Sequence, residues 1–372
     1  ADYYNNRVLR FNSPFVEDSV ADYVWGQLDF AHGECNQGRS YGHPDNKNLC
    51  LAALPQVGST KAGLAIDLNQ NLWVADTQNN RVLRFPYNPS IGIPAYEADL
   101  VLGQPDFSTA NSGNGSNQMN NPGSVRVDAD GIVYVLDGMD GYGNHGRLLV
   151  FKPPFSNGMV ASVVFPGLGE PTGLELDPSG VLWINNSDMG KILQLVDDIL
   201  VTAINVEPLR TMGGFGIDRD YNILLSGWDP QEVHIFSPPA YNFVSTFLQA
   251  DGFSFFNKLG PYGMTDPGGL EVTDNQLVIA DGARLLFWNN PTLLTNNYPP
   301  ADGVVGQPDF YTRPRWDPFF SRLRADTHNR LWVVREYDFS TADILAYNLP
   351  LVTGAEPIIQ ISSPIALLGG GT

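Results

Sequence analysis

Residues Gly63–Phe85 read GLAIDLNQNLWVADTQNNRVLRF, and this stretch decides the fold. It holds three short apolar runs, LAI, LWVA and RVLRF, separated by polar turn residues, the pattern of strands joined by tight turns. Its last seven residues, Asn79–Phe85, recur unchanged as Asn5–Phe11. Looser copies of the whole unit follow as SVRVDADGIVYVLD from Ser124, GLELDPSGVLWINN from Gly173, FGIDRDYNILLSG from Phe215, GLEVTDNQLVIAD from Gly269 and RLRADTHNRLWVV from Arg322. A further segment is periodic as well: ADYVWGQLDF from Ala21, ADLVLGQPDF from Ala98 and ADGVVGQPDF from Ala301. Short-strand repeats at roughly 40–50 residues predict a β-propeller or a solenoid.

Aligned, the copies give a unit of four strands: a (the LAID type), b (LWVAD), c (RVLRF) and d (DLVLGQ). Strand c appears at Asn5–Phe11, Asn79–Phe85, His145–Phe151, Met189–Leu195, Gln231–Phe236, Ala283–Trp288 and Ala342–Tyr347. Strand d also appears seven times, whereas strand a is complete in six places, with Pro364–Leu368 (PIALL) as the seventh candidate. The expectation is an all-β propeller of four-stranded blades, seven favoured and six the alternative. Its ring is closed by N-terminal strands c and d sharing one blade with a C-terminal strand a, which would remove open sheet edges. One domain spans 1–372, with residues 28–62 a loop insertion within it.

The glycine–aliphatic–Asp, aromatic–Val–Ala–Asp and Asn–Arg–Val pattern of Gly63–Phe85 resembles the NHL repeat. The match is clear again at Asn5–Phe11 and degenerate elsewhere, and with its looser copies it covers nearly the whole chain apart from the long loops. The resemblance implies a β-propeller, most often six-bladed. It also implies a family of protein- and RNA-binding modules, extracellular proteins, and some lyases and hydrolases. A shared fold does not select among these.

Composition narrows the field. A net charge of -19 and only five lysines argue against nucleic acid, because phosphate binding needs clustered Lys and Arg. No apolar stretch approaches the roughly 18 residues of a membrane span. Cys35 and Cys50 stand fifteen apart in one polar segment. A disulfide there would close that loop, stabilise the chain by on the order of 3 kcal/mol and place it outside the cell or on its surface.

Candidate site residues fall into three groups. The turn acids Asp67, Asp128, Asp177, Asp218 and Asp326, and the pairs Asp76–Arg81 and Asp281–Arg284, have structural roles by position. Two residues before the turn acid, strand a carries Arg126, Glu175, Glu271 and Arg324, four charges expected to line the tunnel. Each acid has a base on the neighbouring blade, the order of inter-blade ion pairs, although such a mix would also hold a polar ligand. The loop Asp137–His145 is rich in oxygen donors, and Asp137, Asp140 and Asn144 would suit calcium. No cofactor is required by any motif. The five histidines show no HxH or HExxH spacing, and no GxSxG, P-loop or dinucleotide fingerprint occurs.

What the loops offer is aromatic surface: Phe255, Phe256, Tyr262, Tyr311, Trp316 and Phe319, from neighbouring d–a loops. Aromatics on a propeller rim stack on sugars or anchor a protein partner. The sequence therefore points to a secreted or cell-surface module binding a protein or carbohydrate through the face of its d–a and b–c loops, where the length variation lies. The alternatives are an extracellular lyase or hydrolase at the tunnel mouth, and a structural subunit completed by neighbouring copies.

Overall fold

The structure is a computed structural model. It describes residues 1–12, 21–39, 43–52, 63–138, 146–169, 171, 173–186, 189–206, 212–218, 220–228, 231–247, 260–261, 267–273, 275–290, 300–312, 319–337 and 342–362. The chain divides into two compact units, the first with the N-terminal strands, blades 1 and 2 and most of blade 3, the second with blades 4 to 6.

The first unit opens with an antiparallel pair, β1 (Val8–Arg10) and β2 (Tyr23–Trp25). Blade 1 contains β3 (Leu64–Ile66), β4 (Leu72–Asp76) and β5 (Arg81–Phe85). A side hairpin of β6 (Tyr87–Asn88) and β7 (Ile93–Pro94) follows, and β8 (Leu100–Leu102) completes the sheet. Blade 2 is β9 (Ser124–Val127), β10 (Val133–Asp137), β11 (Gly146–Phe151) and β12 (Val163–Gly169). Blade 3 is β13 (Gly173–Leu176), β14 (Leu182–Asn186), β15 (Lys191–Val196) and β16 (Ile199–Asn205).

In the second unit, blade 4 is β17 (Met212–Ile217), β18 (Ile223–Trp228), β19 (Gln231–Ser237) and β20 (Asn242–Phe247). Blade 5 is β21 (Pro267–Val272), β22 (Gln276–Asp281), β23 (Arg284–Asn289) and β24 (Gly303–Val305). Blade 6 is β25 (Phe319–Ala325), β26 (Arg330–Glu336), β27 (Ala342–Asn348) and β28 (Ile359–Ser362).

The all-β fold of four-stranded propeller blades is thus as expected, and the described residues form six such blades, the alternative, rather than the favoured seven. All seven c strands and all seven d strands are present. The surplus pair, β1 and β2, makes a two-stranded sheet, and the a strand assigned to it, Pro364–Leu368, lies outside the described residues. Val8 and Trp25 of that pair pack with Leu49, Leu51, Leu72, Val74 and Leu83 against blade 1.

Burial explains the sequence pattern. Strands b and c in the middle of a blade are covered on both faces by neighbouring blades, so β4, β10, β14 and β22 are buried at every residue and read as continuous apolar runs. The outer strand β16 is mostly exposed or half-buried. Within each unit the core is a series of inter-blade layers. Trp73, Val82 and Leu102 of blade 1 meet Val125, Val135 and Leu149 of blade 2, and Phe287 and Val305 of blade 5 meet Leu331, Val333 and Leu345 of blade 6.

The a–b turns of blades 1 to 4 and 6 are tied by their acids. Asp67 Oδ1 accepts the amides of Asn69 and Asn71, both at 2.9 Å, and its Oδ2 accepts Trp73 Nε1 at 2.9 Å. Asp177 and Asp326 repeat this with Trp183 and Trp332, and Asp128 does so with the Tyr134 hydroxyl. In blade 5, Thr273 takes the acid's place, its hydroxyl accepting the Gln276 amide at 3.0 Å.

Candidate functional site

The opposite ends of the strands, where the b–c turns and d–a loops gather, are organised by buried ion pairs. In blade 1 strand b ends in Asp76 and strand c begins with Arg81, register partners whose side chains are both fully buried. Arg81 Nε donates to Asp76 Oδ2 at 2.8 Å, Nη1 to the Phe107 carbonyl at 2.7 Å, and Nη2 to the carbonyls of Asp45 and Asn48 at 2.9 and 3.1 Å. One guanidinium therefore grips the loops on both sides of its blade. Asp76 Oδ1 takes the Cys50 amide at 2.7 Å. Burial pushes the Asp76 carboxyl up, and the Arg81 charge opposes that shift.

The same clamp recurs. Arg147 binds Asp137 and the carbonyls of Gly113, Asn114, Gly115 and Gln118. Arg284 binds Asp281 and the Phe310 carbonyl, and Arg7 binds Asp2 and the carbonyls of Phe30 and His32. The Asn-Asn-Arg motif provides the approach: a short 3-10 turn ends on Asn6 or Asn80, each in the left-handed region at φ 50 and 53. Asparagine tolerates that conformation, and its side chain remains available for bonding. Asn6 Oδ1 accepts the amides of Leu51 and Ala52, and Asn80 Oδ1 that of Asn121.

The periodic Gly-Gln-x-Asp-Phe segment is the other half of this device. Gln27 and Gln104 donate to the carbonyls of Asn6 and Asn80, and Gln307 to that of Ala283, capping the b–c turns. Asp29, Asp106 and Asp309 then close small turns of their own. Their foremost bonds come from the His32 ring, the Ser108 hydroxyl and the Tyr311 amide, and these hold all three carboxyls below the ordinary aspartate range. The Phe carbonyl that ends the motif is the clamp arginine's acceptor in each case. Sequence reading saw this period without a role for it. Asp76–Arg81 and Asp281–Arg284 are legible as close turn pairs, and aligning strand ends would have added Asp137–Arg147, ten residues apart.

Cys35 and Cys50 are disulfide-bonded. Around the bond, Asn36 and Asn79 exchange side-chain hydrogen bonds at 3.0 and 2.8 Å, and the Gln78 amide donates to the Cys50 carbonyl. The crosslinked loop is thus built into the space between β1–β2 and blade 1.

Arg126 and Glu175 form an ion pair of 3.1 Å between blades 2 and 3, both about a quarter exposed. Arg324 and Glu271 pair at 3.8 Å between blades 6 and 5, Arg324 more than half exposed. Asp137 is fully buried, its carboxylate occupied by Arg147 and by the Asn120 amide at 2.7 Å, and burial pushes its pKa up to about 6 against the Arg147 charge. Asp140 and Asn144 lie outside the described residues, among which no group of three or more metal-ligating side chains occurs. Of the aromatic candidates, Tyr311 is largely exposed and packs beside Gly260, whereas Phe319 is half-buried at the start of β25. Phe255, Phe256, Tyr262 and Trp316 lie outside the described residues.

No protein-family profile and no curated protein matches this sequence. Among solved structures the chain is similar to β-propellers. One belongs to the crystal structure of the Mitotic Checkpoint Complex, 13% identical, TM-score 0.51, covering 90% of this chain and 86% of that one. Another is the extracellular domain of a hybrid two-component system from B. thetaiotaomicron, 12% identical, TM-score 0.50, covering 85% of this chain and 38% of that one. A chain of the nidogen/laminin complex is 15% identical with TM-score 0.46, covering 78% and 92%. At such identities the likeness concerns the fold alone. No helix among the described residues is long and apolar enough to cross a membrane.

Proposed function

We propose that the chain is an NHL-type propeller, secreted or displayed at a cell surface, that binds a protein or carbohydrate through the face carrying its d–a and b–c loops. The observation that supports this most is the investment of buried charge in holding those loops. Arg7, Arg81, Arg147 and Arg284 are each buried, and together they bond ten loop carbonyls. Loops fixed in advance lose less conformational entropy on binding, so rigid loops on a repeating scaffold suit recognition. The disulfide at Cys35–Cys50 adds to this rigidity and fits an oxidising compartment.

Within that face, Tyr311 and Trp316 are the residues to test. The full chain is screened against an array of glycans and displayed peptides, and hits are titrated with Tyr311→Ala and Trp316→Ala. An aromatic anchor is worth about 2 kcal/mol, so each variant should bind roughly 30-fold more weakly at an unchanged melting temperature. Hits that bind both variants at wild-type strength would place the working surface elsewhere. Consumption of a bound glycan would replace this reading with the enzymatic one.

A further inference from the structure

The heptad Asn-Asn-Arg-Val-Leu-Arg-Phe occurs twice, as Asn5–Phe11 and Asn79–Phe85, and the two copies meet different surroundings. In blade 1 it supplies β5, flanked on one edge by β8 and on the other by β4. There Arg81 stands opposite Asp76, Leu83 opposite Val74, Arg84 opposite Trp73 and Phe85 opposite Leu72. In the N-terminal copy it supplies β1, and among the described residues β1 pairs with β2 alone.

The edge of β1 that faces away from β2 starts as the β4 edge of β5 does. Asp2 and Arg7 exchange main-chain hydrogen bonds of 2.9 and 3.3 Å, and their side chains pair at 2.7 Å, reproducing the Asp76–Arg81 rung. No described strand carries the ladder further. On the other edge the Arg10 carbonyl accepts the Asp22 amide, as the Arg84 carbonyl accepts the Asp99 amide. Alternation along the strand therefore turns the N–H and C=O of Leu9 and Phe11 to the free edge, in line with those of Arg7. Burial differs in the same sense. Leu83 and Phe85 are fully buried, whereas Leu9 and Phe11, the same residues of the other copy, are half-buried. Main-chain groups facing outward beside partly covered apolar side chains make a template for an added strand.

We propose that the free edge of β1 is a docking site for an extended apolar segment of a partner protein, which adds antiparallel to β1 as β4 adds to β5. Because the two heptads are identical, β4 defines what the occupant offers: a run of the Leu-Trp-Val type. Its valine would exchange main-chain hydrogen bonds with Leu9, and its leucine would lie opposite Phe11. In strand addition the main-chain bonds supply the affinity and alternate side chains the selectivity. The proposal does not rest on the rim aromatics, so the failure of either test leaves the other standing.

The full chain is titrated into a fluorescein-labelled peptide with the sequence of Gly63–Val74, GLAIDLNQNLWV, and fluorescence anisotropy is followed. This peptide carries a strand, a turn and a strand, enough to extend the β1–β2 sheet to four. It should bind saturably. N-methylation of its valine removes the N–H that would face Leu9 and should weaken binding about tenfold, whereas binding through apolar contact alone would be unaffected. Leu9→Pro, a change an edge strand tolerates where the N–H faces outward, should weaken the unmodified peptide to the same extent. Leu9→Lys keeps the main chain and sets a charge opposite the incoming valine, which preserves the test if the proline variant does not fold. Absence of saturable binding, equal binding of the N-methylated peptide, or wild-type binding by the folded Leu9 variants overturns the proposal. If light scattering shows that the chain self-associates and that the peptide dissociates it, the occupant is a second copy and the assignment to a partner protein falls.

Discussion

Replacing Arg81 with Met tests the clamp where it is most buried. Methionine fills much of the same volume, so the change removes charge and hydrogen bonds with little loss of packing. Four bonds of 2.7 to 3.1 Å disappear, one to Asp76 and three to the carbonyls of Phe107, Asp45 and Asn48. The Asp76 carboxylate, fully buried, is left without its counter-charge. Breaking a buried pair from one side costs about 3–5 kcal/mol, because the remaining ion stays desolvated. For a chain of 372 residues that corresponds to a drop of roughly 4–6 °C in Tm. Differential scanning calorimetry measures it, with Arg39→Met as the control, since Arg39 pairs with Asp45 at an exposed site worth about 1 kcal/mol or less. The double variant Arg81→Met/Asp76→Leu should recover only part of the loss, as the carbonyls remain unpaired. If Arg81→Met melts with the Arg39 control, the clamps do not hold the loops and the argument from loop rigidity fails.

Three further outcomes are expected. Trp73→Phe removes the bond from Nε1 to Asp67 and leaves a gap where the indole was buried, and should cost about 2–3 kcal/mol in urea unfolding, with Trp183→Phe behaving alike. Cys35→Ser should lower stability by about 3 kcal/mol, the loop-closure value for a separation of 15, and adding reductant to that variant should change nothing more. His32 should titrate above 6.5 by NMR, because its ring hydrogen-bonds Asp29 at 2.7 Å, and Asp29→Asn should return it towards 6.5. Since the folded value is raised, this contact is fully present below pH 6.5 and is lost as pH rises through the raised value.

The fold was legible because a strand buried on both faces leaves a continuous apolar run, and LWVAD and RVLRF are such runs. Blade number was less legible. Seven c strands and seven d strands are there to be counted, but a β1–β2 pair reads the same in sequence whether or not two more strands join it. The turn acids were recognised from position, while their second bond, to an aromatic six residues on, was missed despite a visible Asp-x5-Trp spacing at Asp67, Asp177 and Asp326. The inter-blade order of Arg126, Glu175, Glu271 and Arg324 could be read from the repeat because pairing there follows blade order. Asp137 could not. In a glycine-rich loop its carboxylate resembles a cation ligand, and only the strand register brings Arg147, ten residues later, to meet it.

The clamp arginines end their bonds on main-chain oxygens, and every amino acid carries one. The side chains between two gripped carbonyls are therefore not committed to the anchor. Residues such as Ser112, Ser116 and Asn117 are exposed while the carbonyls of Gly113, Asn114, Gly115 and Gln118 among them are held by Arg147. Such a loop can be rewritten residue by residue, or replaced by a graft of equal length, with its attachment points intact. What a lineage or a laboratory would inherit from this scaffold is an addressable set of positions, in which diversity at the tip is separable from fixation at the base.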